Sequence, residues 1–171
     1  MIELKNLYKS YRGKSVLMNI SLTIQDNEFF VLIGSSGCGK TTLLKTLNKL
    51  NPIDKGEILI NGTPINRIKV TQLPRLMGYV VQEGGLFPHM TVEDNIALAR
   101  YPKEKIYDRI TELLELVNLE PDQYRSQYPS QLSGGQRQRI GVARAFAADP
   151  EIILMDEPFS ALDPMTRAEL Q

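Results

Sequence analysis

Four clusters of side chains in this sequence could do chemistry on phosphate. GSSGCGKTT, from Gly34 to Thr42, matches the phosphate-binding pattern G-x-x-x-x-G-K-[ST]. Its glycines, Gly34, Gly37 and Gly39, can enter positive φ without the penalty other residues carry, so successive backbone N–H groups can turn inward. Ser35, Ser36, Cys38 and Thr42 complete the loop. Lys40 would bridge the β- and γ-phosphates, and the Thr41 hydroxyl would face magnesium. Asp156 and Glu157 close an apolar run, Ile152 to Met155. Neighbouring strand residues point to opposite faces, so Asp156 would support a magnesium shell and Glu157 would polarise an attacking water as general base. The carboxamide of Gln82 could accept from a metal-bound water. Ser133-Gly134-Gly135-Gln136 places a hydroxyl and flexible backbone at a helix start, a second anion cradle. One nucleotide does not need two cradles from one subunit, so the second is expected to close on a nucleotide held by another copy.

Those residues need elements to hold them. The apolar run Phe29 to Ile33 before the glycine turn, and LLKTLNKL after it, predict strand, turn and helix. The unpaired N–H groups of that helix start add partial positive charge. Residues 2 to 8 alternate apolar and polar, as do Val16 to Ile24, with turn residues around Arg12 and Gly13; the pair predicts an antiparallel flap. Tyr11 lies on the link, either as a packed loop aromatic or as a platform for an adenine ring. A strand GEILI, a turn NGTP and a short strand Gly78 to Val81 follow. Thr91 is expected to start a helix with Asp94 in its first turn. Ile106, Ile110, Leu113, Leu114 and Val117 line one helical face between Glu104 and Leu119. These helices break the strand-helix alternation, which suggests an inserted helical lobe over about residues 87–135. Ser133 caps the next helix. The four apolar residues Ile152 to Met155 suit a strand covered on both faces of a parallel sheet.

The 171 residues, 42% hydrophobic, are enough to bury a core and fit one domain. Lys plus Arg equals Asp plus Glu at 20 each, which gives no general attraction to nucleic acid or an anionic membrane. Cys38 is the only cysteine, so no intrachain disulfide can form and a reducing compartment fits. No stretch approaches the roughly 18 apolar residues that span a bilayer, and no charged-then-apolar leader opens the chain. Membrane contact is expected to come through a partner.

With LSGGQ at Leu132–Gln136, between the glycine loop and LMDEP, the chain resembles the ATP-binding cassette (ABC) proteins over essentially its whole length. The resemblance implies an α/β P-loop NTPase fold: a RecA-like core, an antiparallel β subdomain and an inserted α-helical subdomain. It implies ATP and Mg2+ as ligands, with Tyr11 as the adenine-stacking aromatic, Gly34–Thr42 as the phosphate loop and Gln82 as the Q-loop glutamine. Leu132–Gln136 match the signature, Asp156 the carboxylate ending the metal-supporting strand, and Glu157 the hydrolytic glutamate. Ser160 to Asp163 match the loop that crosses the dimer interface. Two such domains would pair head to tail, each ATP lying between one copy's phosphate loop and the other's signature.

GLFPHMTVEDNIAL and LMDEPFSALDPMTRAELQ resemble, more narrowly, the ATPase subunits of importers for glycine betaine, carnitine, choline or proline betaine. The first phrase is shared partly with polar amino-acid importers. The resemblance implies that the 83–90 loop, with Phe87, Pro88, His89 and Met90, docks on transmembrane permease subunits at the cytoplasmic face of the membrane, with a substrate-binding protein further out. His89, the only histidine, also reads as a plain surface loop residue. The family carries a switch histidine roughly thirty residues beyond the hydrolytic glutamate; none stands there before Gln171, so the chain is expected to be a fragment that binds ATP more readily than it hydrolyses it. Two other classes stay open: a soluble ABC ATPase acting on DNA or ribosomes, and a binding-only module.

Overall fold

The computed structural model describes residues 1–82, 85–98 and 106–158. The chain divides into two units, Met1–Leu73 and Pro74–Gln171. The first is built on an antiparallel sheet in which β1 (Ile2–Tyr11) lies between β2 (Lys14–Ile24) and β3 (Lys55–Ile60), and β4 (Thr63–Pro64) adds to β3. Arg12 and Gly13, at φ 49° and 81°, turn β1 into β2. Two consecutive positive-φ residues are what a two-residue type I′ hairpin needs, because its twist matches the strands. Asn61 and Gly62, at 49° and 73°, repeat the device between β3 and β4. The alternation expected over residues 2–8 holds at Ile2 and Leu4, after which an irregularity at Asn6, at φ 48°, shifts the register by one and buries Leu7. Helix α1 (Lys40–Leu47) buries Leu43, Leu44 and Leu47.

One expectation for this unit fails. Phe29 to Ile33 form no strand, and Phe29 and Ile33 are 92% and 93% exposed. A strand exists through its ladder, and among the described residues no neighbour offers one to this run. Its apolar character predicts a strand only where a partner lies alongside.

The short helix α2 (Leu73–Leu76) spans the division between the units. The second unit opens with β5 (Met77–Val80), which pairs in parallel with β6 (Ile152–Met155), Val80 lying opposite Met155. Between them in sequence lie α3 (Val92–Ala97), α4 (Ile106–Leu116), α5 (Pro121–Tyr124) and α6 (Gly134–Phe146). Val92 and Ile96 of α3, Ile110, Leu113 and Leu114 of α4, and Ile140 and Ala143 of α6 make one core with Val117, Leu119, Leu132 and Ala147. The face anticipated from Ile110, Leu113, Leu114 and Val117 is thus buried, while Ile106 packs at its margin. Beneath it α6 crosses β5 so closely that a Cβ on Gly78 would lie 2.2 Å from the Ala145 carbonyl oxygen. Only glycine allows that approach.

The full two-sided cover expected for Ile152–Met155 is also not met: Leu154 alone is buried, and its neighbours are half-covered. A two-stranded sheet leaves both faces short of packing partners.

The helix starts foreseen at Thr91 and Ser133 are closed by reciprocal caps. Thr91 Oγ1 accepts from the Asp94 N–H at 3.1 Å while the Asp94 carboxylate accepts from the Thr91 N–H at 3.2 Å. Replacing Thr91 by alanine is expected to cost about 1 kcal/mol. In thermal denaturation followed by circular dichroism that is a fall in Tm of about 2–4 °C for a chain of this size. An unshifted Tm would show the cap to be idle.

Candidate nucleotide site

In the first unit the glycine turn takes the shape its sequence allows. Gly37 and Gly39 have φ of 77° and 107°, and Gly39 is the left-handed residue from which α1 starts at Lys40. A Cβ at Gly39 would meet the Val16 backbone oxygen and the Val16 and Leu17 side chains at 3.2 Å, so the loop is seated on β2 as well as turned by its glycines. Lys40 Nζ donates to the carbonyls of Gly34 at 2.8 Å and Ser35 at 3.1 Å. That places a cation inside the loop, at the positive end of a helix dipole, which is the charge arrangement a polyphosphate needs. Ser35, Ser36 and Cys38 are exposed around it, and Thr41 and Thr42 follow in the first turn of α1. Cys38 Sγ lies 4.0 Å from Lys40 Nζ.

Tyr11, at the end of β1, is held from two sides. Its hydroxyl accepts from Asn51 Nδ2 at 2.7 Å, and Lys9 Nζ lies 5.2 Å from the ring centroid. Lys9 in turn pairs with Asp54 at 2.9 Å; with the Ser10 N–H, it holds the Asp54 carboxyl below its ordinary pKa. The aromatic therefore has a fixed ring and stays partly exposed, which fits a stacking platform and a packed loop residue equally.

In the second unit Gln82, Asp156 and Glu157 follow the ends of the two parallel strands, β5 and β6. Gln82 Nε2 donates to Glu157 Oε2 at 3.0 Å. Asp156 is buried, its N–H bonded to the Val80 carbonyl at 3.0 Å, whereas Glu157 is exposed. The two adjacent carboxylates thus have different surroundings, although both lie beyond the end of β6 and not within the strand as expected. Glu157 has φ of +49°, a conformation unusual for a residue with a side chain and one that clusters at functional sites. Tyr79, which the sequence did not single out, sends its hydroxyl to Asp156 Oδ2 at 3.4 Å. Burial first, then the Asp156 charge and hydrogen bond, push the Tyr79 pKa up to about 12.

The signature forms the N-terminus of α6. Ser133 Oγ accepts from the Gln136 N–H at 3.2 Å, and Gln136 Oε1 accepts from the Ser133 N–H at 2.8 Å. Gln136 Nε2 reaches the Tyr124 hydroxyl at 3.0 Å. Gly134, exposed, and Gly135, half-buried, follow in the first turn of α6.

On the loop after Gln82, Phe87 and His89 stand exposed, their rings edge to face at 6.0 Å. Asn95, fully buried on α3, shapes this loop. Its amide donates to the carbonyls of Phe87, Met90 and Thr91 and accepts from the Phe87 N–H at 2.7 Å. An isolated Asn on an otherwise apolar helix face is the signal that could have marked it. Glu83, Gly84 and the stretch Ser160–Asp163 lie outside the described residues.

The residues expected to serve magnesium are oxygen donors, the Thr41 hydroxyl in the first unit and, in the second, the Gln82 carboxamide and the buried Asp156 carboxylate. That set suits Mg2+, which uses one or two protein groups and completes its shell with phosphate and water. No cluster of three or more His, Cys, Asp or Glu is found among the described residues, and a magnesium site of this type needs none.

Comparison with known proteins accounts for the combination. The family profile described as ABC transporter matches residues 17–160. The choline transport ATP-binding protein OpuBA of Bacillus subtilis (strain 168) is 49% identical over 100% of this chain and 46% of its own length. The glycine betaine uptake system ATP-binding protein YehX of Escherichia coli (strain K12) is 49% identical over 100% and 56% respectively. This chain therefore spans about half the length of the curated relatives it matches. Among solved structures, a dimeric ATP-binding cassette in a post-hydrolysis state, bound to ADP and Pi, superposes with a TM-score of 0.89 at 34% identity, covering 99% of this chain and 79% of that one.

Proposed function

This chain belongs to the ABC transporter family, and from that premise we propose that it is the ATP-binding and ATP-hydrolysing part of an importer for quaternary-amine osmoprotectants such as glycine betaine, carnitine or choline. Its fold is that of a P-loop ATPase cassette with an antiparallel sheet. The observation that carries the reading is the phosphate loop, in which left-handed Gly39 opens α1 and Lys40 Nζ is held on the Gly34 and Ser35 carbonyls.

In this reading the N–H groups of Gly34–Thr42 cradle the triphosphate, Lys40 neutralises its β- and γ-oxygens and Tyr11 stacks on the adenine. Thr41, Gln82 and Asp156 would hold Mg2+, which when bound offsets the charge developing on the transferred phosphoryl group. Glu157 takes the proton of the attacking water. Ser133, Gly134 and Gly135 present a hydroxyl and two N–H groups to the γ-phosphate carried by a second, head-to-tail copy. Closure of that dimer is passed to permease subunits through the 83–90 loop, whose Phe87, Pro88, His89 and Met90 form the docking face. An inserted helical lobe over about residues 87–135 carries that loop and the signature together. The protein acts at the cytoplasmic face of the membrane, attached through those partners; no helix among the described residues is long and apolar enough to cross a membrane.

The test is reconstitution of the intact subunit with its permease and binding protein in proteoliposomes. ATP-dependent uptake of radiolabelled glycine betaine, carnitine or choline is expected. Uptake confined to polar amino acids would replace the solute class, and no ATP-dependent uptake at all would remove the transport reading.

A further inference from the structure

Two side chains of α6 hold the backbone on either side of Gln82. Arg144 Nη1 donates to the Gly85 carbonyl at 2.9 Å. Gln138, 2% exposed, turns its Nε2 towards the Val81 carbonyl at 3.5 Å. Gly85 sits at φ +57°, and a Cβ there would collide with Val81 Cγ2 at 2.5 Å, so Gly85 itself folds back against the residue before Gln82. The fold-back is roofed by Arg144, whose Nη2 lies 3.4 Å from that Cβ position. Gln82 emerges from this held segment and spends its amide on Glu157.

Neither clamp residue is needed to fill space. Arg144 is half-buried, and the partial loss of water around its guanidinium pulls its pKa below the ordinary value. Gln138 Oε1 is buried with no hydrogen-bond partner among the described residues, a loss that an apolar residue of the same size would avoid. Polar groups retained at such cost have a polar task, and the groups they face are the Val81 and Gly85 carbonyls.

We propose that Arg144, assisted by Gln138, is a positioning residue that fixes the Gln82 segment to the signature helix and so sets Gln82 against Glu157. The inference rests on the reading of Glu157 as the base for ATP hydrolysis. It adds a mechanical consequence: the helix whose N-terminus carries Ser133 also governs where Gln82 sits, so a displacement of α6 alters the surroundings of Glu157.

The experiment is a mutant cycle in the intact subunit, with kcat, ATP affinity and Tm measured for each form. Arg144→Met keeps the apolar stem and removes the donors. Its kcat is expected to fall about ten- to a hundredfold, as for a group displaced by around an ångström, with ATP affinity within about twofold. Arg144→Lys, which keeps a donor, is expected to recover most of that loss. Because Arg144 acts through Gln82, Arg144→Met/Gln82→Ala should be no slower than Gln82→Ala alone, within about twofold. Losses that multiply in the double variant, or an unchanged kcat in Arg144→Met, overturn the proposal. Should Arg144→Met fail to fold, Gln138→Leu carries the same cycle. Glu157→Gln separates the two claims. If it abolishes turnover while Arg144→Met leaves kcat unchanged, the positioning role falls and the hydrolytic reading stands; if it leaves turnover intact, both fall together.

Discussion

Glu157→Gln in the intact subunit is expected to lower ATP turnover by about 10²- to 10⁴-fold, the usual contribution of a positioned general base. ATP affinity should stay within about twofold, since the interactions lost belong to the transition state and not to ground-state binding. The substitution is nearly isosteric. Gln82 Nε2 donates to Glu157 Oε2 at 3.0 Å, and the oxygen of a glutamine amide can accept that bond as the carboxylate does. What disappears is the ability to take a proton. The backbone at φ +49° is left as it was, because both residues bear the same strain there. A steady-state phosphate-release assay beside equilibrium binding of ATP separates the two quantities. Turnover equal to that of the parent would take the base role away from Glu157, and a collapse of affinity would mean that the substitution had disturbed the pocket.

The burial of Asp156 beside an exposed Glu157 explains why these carboxylates should not exchange roles. A buried carboxylate keeps its charge only with partners, and Asp156 has its N–H tied to Val80 and its Oδ2 facing Tyr79. It suits a cation that completes its surroundings. Glu157, open to water and touched by a neutral amide, suits a proton acceptor. Strand alternation foresaw two different settings, but both carboxylates stand just beyond β6 and the left-handed turn at Glu157 is what separates them. The strain at Glu157 was not legible in the sequence, since φ is set by the chain on both sides.

Local patterns were read with most success. The Thr91 and Ser133 caps, the type I′ turns at Arg12-Gly13 and Asn61-Gly62 and the apolar face of α4 each depend on residues within about four positions of one another. Phe29 to Ile33 shows the opposite case: composition announces a strand, but a ladder needs a neighbour that no local pattern supplies. Asn95, Gln138 and Arg144 escaped for a related reason. Gln138 meets Val81 across 57 positions and Arg144 meets Gly85 across 59. A polar residue on an apolar helix looks like noise until the fold brings its partner near. The motif residues were therefore visible in advance, and the residues that hold them in place were not.

Lys40→Ala is expected to weaken ATP binding about ten- to a hundredfold, the range of about 1.5–3 kcal/mol for a hydrogen bond to a charged group. Lys40 Nζ is seated on the Gly34 and Ser35 carbonyls. Its removal takes a cation from the phosphates and also leaves two carbonyl oxygens pointing into the loop, where they repel an anion. AMP provides the internal control. It lacks the β- and γ-phosphates that Lys40 would face, so its affinity should change by no more than about twofold if the missing interaction is the one proposed. Lys40→Arg should restore little, because a planar fork cannot occupy the place of a compact ammonium held between two carbonyls. Calorimetric titration with ATP, ADP and AMP across the three forms decides the matter. An equal loss for all three nucleotides would point to a collapsed loop, and unchanged ATP affinity in Lys40→Ala would refute the assignment of Gly34–Thr42 as the phosphate cradle.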